Sequence, residues 1–107
     1  MNKLRNLSKN EKEIIKGALQ AACEGPFFED WEFQTLIGVD RETVRSVLND
    51  WPIQKVENDD FVCAINGSTV MLLMYPHGRD CELMEYIPGG IDALKKLVEK
   101  LYLSKGV

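Results

Sequence analysis

The stretch Gly25–Gly38, G-P-F-F-E-D-W-E-F-Q-T-L-I-G, constrains this chain more than any other part of it. Phe27, Phe28, Trp31 and Phe33 fall within seven positions and make up four of the six phenylalanine and tryptophan side chains. Aromatic side chains carry the largest apolar area per residue, so neighbouring elements are expected to dock on this block. With 107 residues the chain has room for one compact domain, 1–107, and one real core, but not for two.

The flanking segments read as helices. Ser8-Lys9-Asn10-Glu11 fits a capping box, in which the Ser8 hydroxyl and the Glu11 carboxylate serve each other's free backbone amides. Ile15, Ala18, Leu19 and Ala22 then recur at helical spacing, with Lys12, Glu13, Lys16 and Gln20 outward. Gly25-Pro26 ends this helix, glycine supplying a left-handed cap and proline being unable to continue. Asp30 is expected to cap a short helix through Trp31–Ile37 that points Phe33, Leu36 and Ile37 inward and closes at Gly38. Asp40 caps a third, with Val44, Val47, Leu48 and Trp51 on one face, and Trp51-Pro52 stops it.

The second and third of these helices have the layout of a helix-turn-helix. Gly38 stands at the turn, Val39 follows, and Val44 and Val47 are spaced to hold two helices at a steep angle. On that reading Arg41, Thr43 and Arg45 lie early in a recognition helix and would contact nucleic acid. Charge opposes it: Glu29, Asp30, Glu32, Asp40, Glu42 and Asp50 crowd the same motif, whereas DNA binding draws its affinity from neutralising phosphates. A structural αα-corner is the favoured reading.

After an acidic connector, Ile53–Asp60, the run F-V-C-A-I-N-G-S-T-V-M-L-L-M-Y-P has two readings. Asn66-Gly67 between β-prone residues signals a hairpin, which would make the fold α+β. As a helix capped by Asp59 or Asp60, the run puts Val62, Ile65, Thr69, Leu72 and Leu73 on one face. Cys63, Val70, Met71 and Met74 then fall on the other, either buried by a second element or forming a patch for a partner. Burial on both faces is the favoured outcome. Residues 81–87 alternate weakly and suit a short strand or an irregular run on the aromatic block. Pro88-Gly89-Gly90 is a loop, and Ile91, Leu94, Leu97, Val98 and Leu101 define a last amphipathic helix.

The aromatic block, the later R-E-T-V-R and W-P, and A-I-N-G-S-T-V-M-L-L-M-Y-P-H resemble a group of short bacterial proteins without an assigned activity. Its pattern is G-P-F-F-P-D-W-E-F-x-T-L-F-G, an acidic spacer, then A-I/V-N-N-x-L-N-N-L-L-G-Y-P-H, matched over about residues 18–78. Polar residues recur in that pattern where this chain has Gly67, Val70 and Met71, which suits a helix with one solvated face. The resemblance therefore favours helix at 61–74, and with the helices read above the chain is expected to form a mainly α domain of about five helices. It implies no activity. This chain departs from the pattern at Glu29, Ile37, Gly67, Val70, Met71 and Met74, becoming more apolar around 70–74.

Chemistry is sparse. His77, the sole histidine, sits in a Tyr75-Pro76-His77-Gly78 turn. The chain has no nucleophile elbow, phosphate loop, dinucleotide fingerprint or metal-ligand spacing. No catalytic residue, metal or cofactor is assigned, and a non-enzymatic role is expected. Cys23, Cys63 and Cys81 are odd in number and isolated, which argues against a disulfide framework and for a reducing compartment. The polar N-terminus predicts no export signal, and the longest apolar run, Val70–Tyr75, is far short of a membrane span, so a cytoplasmic protein is expected.

The net charge of −4 is unevenly spread. Residues 1–23 carry +3, residues 24–60 carry −7 and residues 61–107 balance. A one-signed centre of this kind steers a cationic partner. The chain therefore reads first as a protein-binding module, most concretely an immunity protein or antitoxin that neutralises a basic toxin such as a nuclease. Glu57, Asp59, Asp60, Val70, Met71 and Met74 are the candidate contacts. The helix-turn-helix DNA-binding regulator is the alternative.

Overall fold

The computed structural model of the protein describes residues 8–51, 59–75 and 78–100, with the side chains of residues 59–62 and 80 outside that description. Five α-helices and one 3-10 helix make up the described residues, without a strand. The radius of gyration, 12.7 Å, is close to the value of about 13 Å for a single domain of about 100 residues, so the helices share one core.

The first helix, α1 (Lys9–Glu24), starts on the expected capping box. Ser8 Oγ accepts from the Glu11 amide at 3.1 Å, and Glu11 Oε1 accepts from the Ser8 amide at 2.9 Å. Glu11 also accepts from Lys100 Nζ at 2.7 and 2.9 Å, which joins the start of the fold to its C-terminal end. That ammonium, followed by the Ser8 amide, holds the Glu11 carboxyl below its ordinary range. The exit from α1 departs from expectation. Gly25 is extended, at φ −84° and ψ 172°, not left-handed. Space explains the glycine instead: a Cβ there would lie 2.6 Å from both the Ala21 carbonyl oxygen and Phe27 Cε2.

Helix α2 (Asp30–Ile37) closes on Gly38 at φ +102°, a conformation that glycine adopts without a Cβ clash. Glu29, not Asp30, holds the N-cap position and makes no side-chain cap bond, while the Asp30 carboxylate accepts from Arg41. Helix α3 (Arg41–Asp50) is capped as expected, with Asp40 Oδ1 accepting from the Thr43 amide at 2.9 Å. At its far end Trp51 Nε1 donates to the Lys12 carbonyl at 3.0 Å and ties α3 to the start of α1.

Residues 59–74 form one helix, α4 (Asp59–Met74), so the hairpin reading is set aside. Asn66-Gly67 is not a turn. Gly67 is the point where α4 crosses the end of α2, and a Cβ on it would sit 2.2 Å from the Ile37 carbonyl oxygen. The helix packs against α1, α2, α3 and the final helix α5 (Gly90–Val98), which makes it the centre of the domain. This explains its lack of a polar stripe: no residue from Cys63 to Leu73 is exposed. Ile65, Thr69 and Leu72 are fully buried, whereas Leu73 and the predicted second face (Cys63, Val70 and Met71) are half-buried.

The inner face of α4 strands one group. Ser68 is fully buried, and its Oγ has no hydrogen-bond partner, whereas the adjacent Thr69 Oγ1 donates to the Ile65 carbonyl at 2.8 Å. An unpartnered buried hydroxyl carries its desolvation cost without return. Ser68→Ala is therefore expected to be neutral or to stabilise by up to about 1 kcal/mol, read by urea unfolding. A loss of stability beyond that range would mean the hydroxyl has a partner.

The run after α4 is a 3-10 helix, η1 (Asp80–Glu85), not the strand entertained from its weak alternation. It does pack on the aromatic block as expected, with Leu83 and Ile87 fully buried and the Tyr86 ring edge-on to Phe27 at 5.8 Å. Gly89 and Gly90, at φ +85° and +65°, then turn the chain into α5, which buries Leu94, Leu97 and Val98 and half-buries Ile91. Leu101 and His77 lie outside the described residues.

Candidate partner-binding surface

Two corners of the fold carry the residues that sequence reasoning singled out. The first is the α2–α3 corner. Val39, Val44 and Val47 are all buried, but α3 packs on α1 and α4 and α2 packs on α4, so the two helices are held mainly through α4 and not by each other. The polar residues on this corner are engaged within the protein. Arg41 Nη1 donates to the Cys23 carbonyl at 2.9 Å and the Ala22 carbonyl at 3.3 Å. Its Nη2 donates to Asp30 at 2.8 Å and reaches the Phe28 carbonyl at 3.5 Å. The guanidinium also lies 4.4 Å from the centroid of the Phe33 ring. Helix α1 has no basic residue in its last turn, so Arg41 supplies the cation that its C-terminal carbonyls favour. Thr43 Oγ1 donates to Asp40 at 2.6 Å, and Arg45 pairs with Glu42 at 3.1 Å. The two bonds from Thr43, side chain first, hold the Asp40 carboxyl below its ordinary value. The three residues proposed for nucleic-acid contact thus each have a partner inside the corner.

What the corner shows to solvent is acid. Glu29, Asp30, Asp40, Glu42 and Asp50 are exposed and Glu32 is half-buried. The Asp30 side chain is 96% exposed, so its ion pair with Arg41 leaves most of the carboxylate facing water.

The second corner joins the start of α2 to the end of α4. Tyr75 Oη donates to Glu32 Oε2 at 2.9 Å and is 3.1 Å from Oε1. Its ring is tilted onto Phe28 at 5.6 Å, and Phe28 meets Phe33 edge-on at 6.1 Å. The Glu32 bond raises the Tyr75 phenol above its ordinary value, with burial and the charges of Glu32 and Glu29 acting the same way. With Ile37 at Gly67 and Glu32 at Tyr75, α2 runs antiparallel along α4, which bears out the favoured reading of α4 in part: Cys63, Val70 and Met71 are half-buried but Met74 is exposed.

The aromatic block behaves as expected at three of its four positions. Phe27, Phe28 and Phe33 are buried, but Trp31 is 80% exposed. Helical period gives the reason. Phe33 and Ile37 face the core, and position 31 lies about 200° from position 33, on the outer side with exposed Gln34 and Thr35. The spacing that pointed Phe33 and Ile37 inward already held this signal.

The proposed contact residues do not gather at one spot. Asp59 and Asp60 begin α4 and Met74 ends it, so the 16-residue helix separates them by about 22 Å. Val70 and Met71 are half-buried, Met74 is 68% exposed, and Glu57 lies outside the described residues. Among the described residues, no group of three His, Cys, Asp or Glu side chains could hold a metal ion, and no helix is long and apolar enough to cross a membrane. No protein-family model, curated protein or solved structure matches the chain.

Proposed function

We propose that this protein is a non-enzymatic binding module that captures a basic protein, most concretely an immunity protein neutralising a cationic toxin such as a nuclease. One observation carries the reading. Residues 24–51 hold seven carboxylates against two arginines, and both arginines are committed: Arg41 to the carbonyl end of α1, Arg45 to Glu42. The outward field of this face is therefore negative. Such a face speeds encounter with a cationic partner and disfavours nucleic acid. Action in the cytosol is in keeping with three free thiols.

The test is a tagged pull-down from native lysate at moderate salt, with bound protein and nucleic acid both quantified, repeated with Glu29→Lys/Glu42→Lys/Asp50→Lys. A stoichiometric basic protein whose association slows about tenfold or more with the triple variant is the expected result. Nucleic acid recovered without such a protein would instead support the helix-turn-helix reading. Capture unaffected by the triple variant would remove the acidic face from the mechanism.

A further inference from the structure

We infer that Trp31 anchors the partner by stacking on an arginine side chain of that basic protein; this rests on the binding-module reading above. Three large apolar side chains are exposed among the described residues: Trp31, Met84 and Met74. Trp31 stands on the outward side of α2, about 200° around the helix from Phe33. The fold makes little use of the indole, because α2 is held through Phe33 and Ile37 on its other side.

The surroundings select the occupant. Glu29, Asp30 and Glu32 flank Trp31 in the chain, so an apolar partner would have to strip water from carboxylates without compensating them. A cation meets both features, because the indole face attracts positive charge and the carboxylates complement it. A guanidinium suits this better than an ammonium: it is planar, stacks on a ring, and is more weakly hydrated. On its inner side α2 already holds the same arrangement, with Arg41 over Phe33 and bonded to Asp30.

The test uses the full chain, labelled with nitrogen-15, titrated with a capped arginine-rich hexapeptide and with its lysine and glutamate counterparts. The chain has two tryptophans, and Trp31→Phe assigns their two indole signals. The arginine peptide is expected to move the Trp31 signal most, the lysine peptide less and the glutamate peptide not at all. Trp51, bonded to the Lys12 carbonyl, should stay in place. Trp31→Ala should weaken binding about tenfold and leave the fold intact, since the side chain is solvent-facing. Arginine-peptide binding that bypasses Trp31, or survives Trp31→Ala unchanged, overturns the anchor and leaves the binding-module reading standing. No shift of any signal at millimolar arginine peptide overturns both.

Discussion

Replacing Arg41 by alanine is expected to lower stability by about 2–4 kcal/mol, the range for stranding buried polar groups that had a charged partner. In a domain of this size that is a fall in melting temperature of about 10–20 °C. Most of the loss comes from the carbonyls of Ala22, Cys23 and Phe28, not from the ion pair. The Asp30 side chain is almost wholly exposed, and pairs of that kind contribute about 1 kcal/mol or less. The Arg41 side chain itself is only 24% exposed, so its hydrogen bonds to the end of α1 are partly shielded from water. Lysine should recover less than half of the loss, because one ammonium cannot serve several carbonyls and also lie flat over Phe33. The measurement is urea unfolding of the wild type, Arg41→Ala and Arg41→Lys. An Arg41→Ala variant within 0.5 kcal/mol of wild type, the spread of about ±0.5 kcal/mol seen at ordinary surface sites, would show that the clip contributes nothing.

Gly67→Ala sets two effects against each other. Helix propensity favours alanine over glycine by about 1 kcal/mol. Packing opposes it, since the new Cβ would stand 2.2 Å from the Ile37 carbonyl oxygen and 2.8 Å from two further Ile37 backbone atoms. Backbone cannot rotate aside as a side chain can, so α2 as a whole must shift, and overpacking typically costs about 1–3 kcal/mol. The net result expected is destabilisation by about 1–2 kcal/mol, with α2 amides moving in NMR spectra. Gly17→Ala faces the same conflict against the Tyr86 carbonyl oxygen, also 2.2 Å away, and should behave alike. Stabilisation of either variant would mean that the backbone contact at that glycine does not oppose a Cβ.

These two sites mark where legibility in the sequence ended. Asn66-Gly67 is locally a good turn, and nothing in its neighbours says that Ile37 lies on top of it. Arg41 follows a helix cap, where an arginine reads as a solvent-facing charge. Its real partners are carbonyls 13 to 19 residues earlier, which have no side-chain signature. The same holds for Tyr75 and Glu32, which are 43 residues apart. The candidate contacts read from the sequence are scattered for the same reason, since Asp59 and Met74 stand at opposite ends of α4.

What depends on near neighbours was legible in the residues: the Ser8–Glu11 box, the Asp40 cap and the inward faces of α1, α3 and α5. Those follow from backbone hydrogen bonding and helical period, which act over three or four residues. Long-range packing set the rest: the central place of α4, the inward commitment of Arg41 and the outward-facing Trp31. Those outcomes depend on which surfaces meet after the chain has closed on itself, because burial and desolvation belong to pairs of elements and not to either one alone.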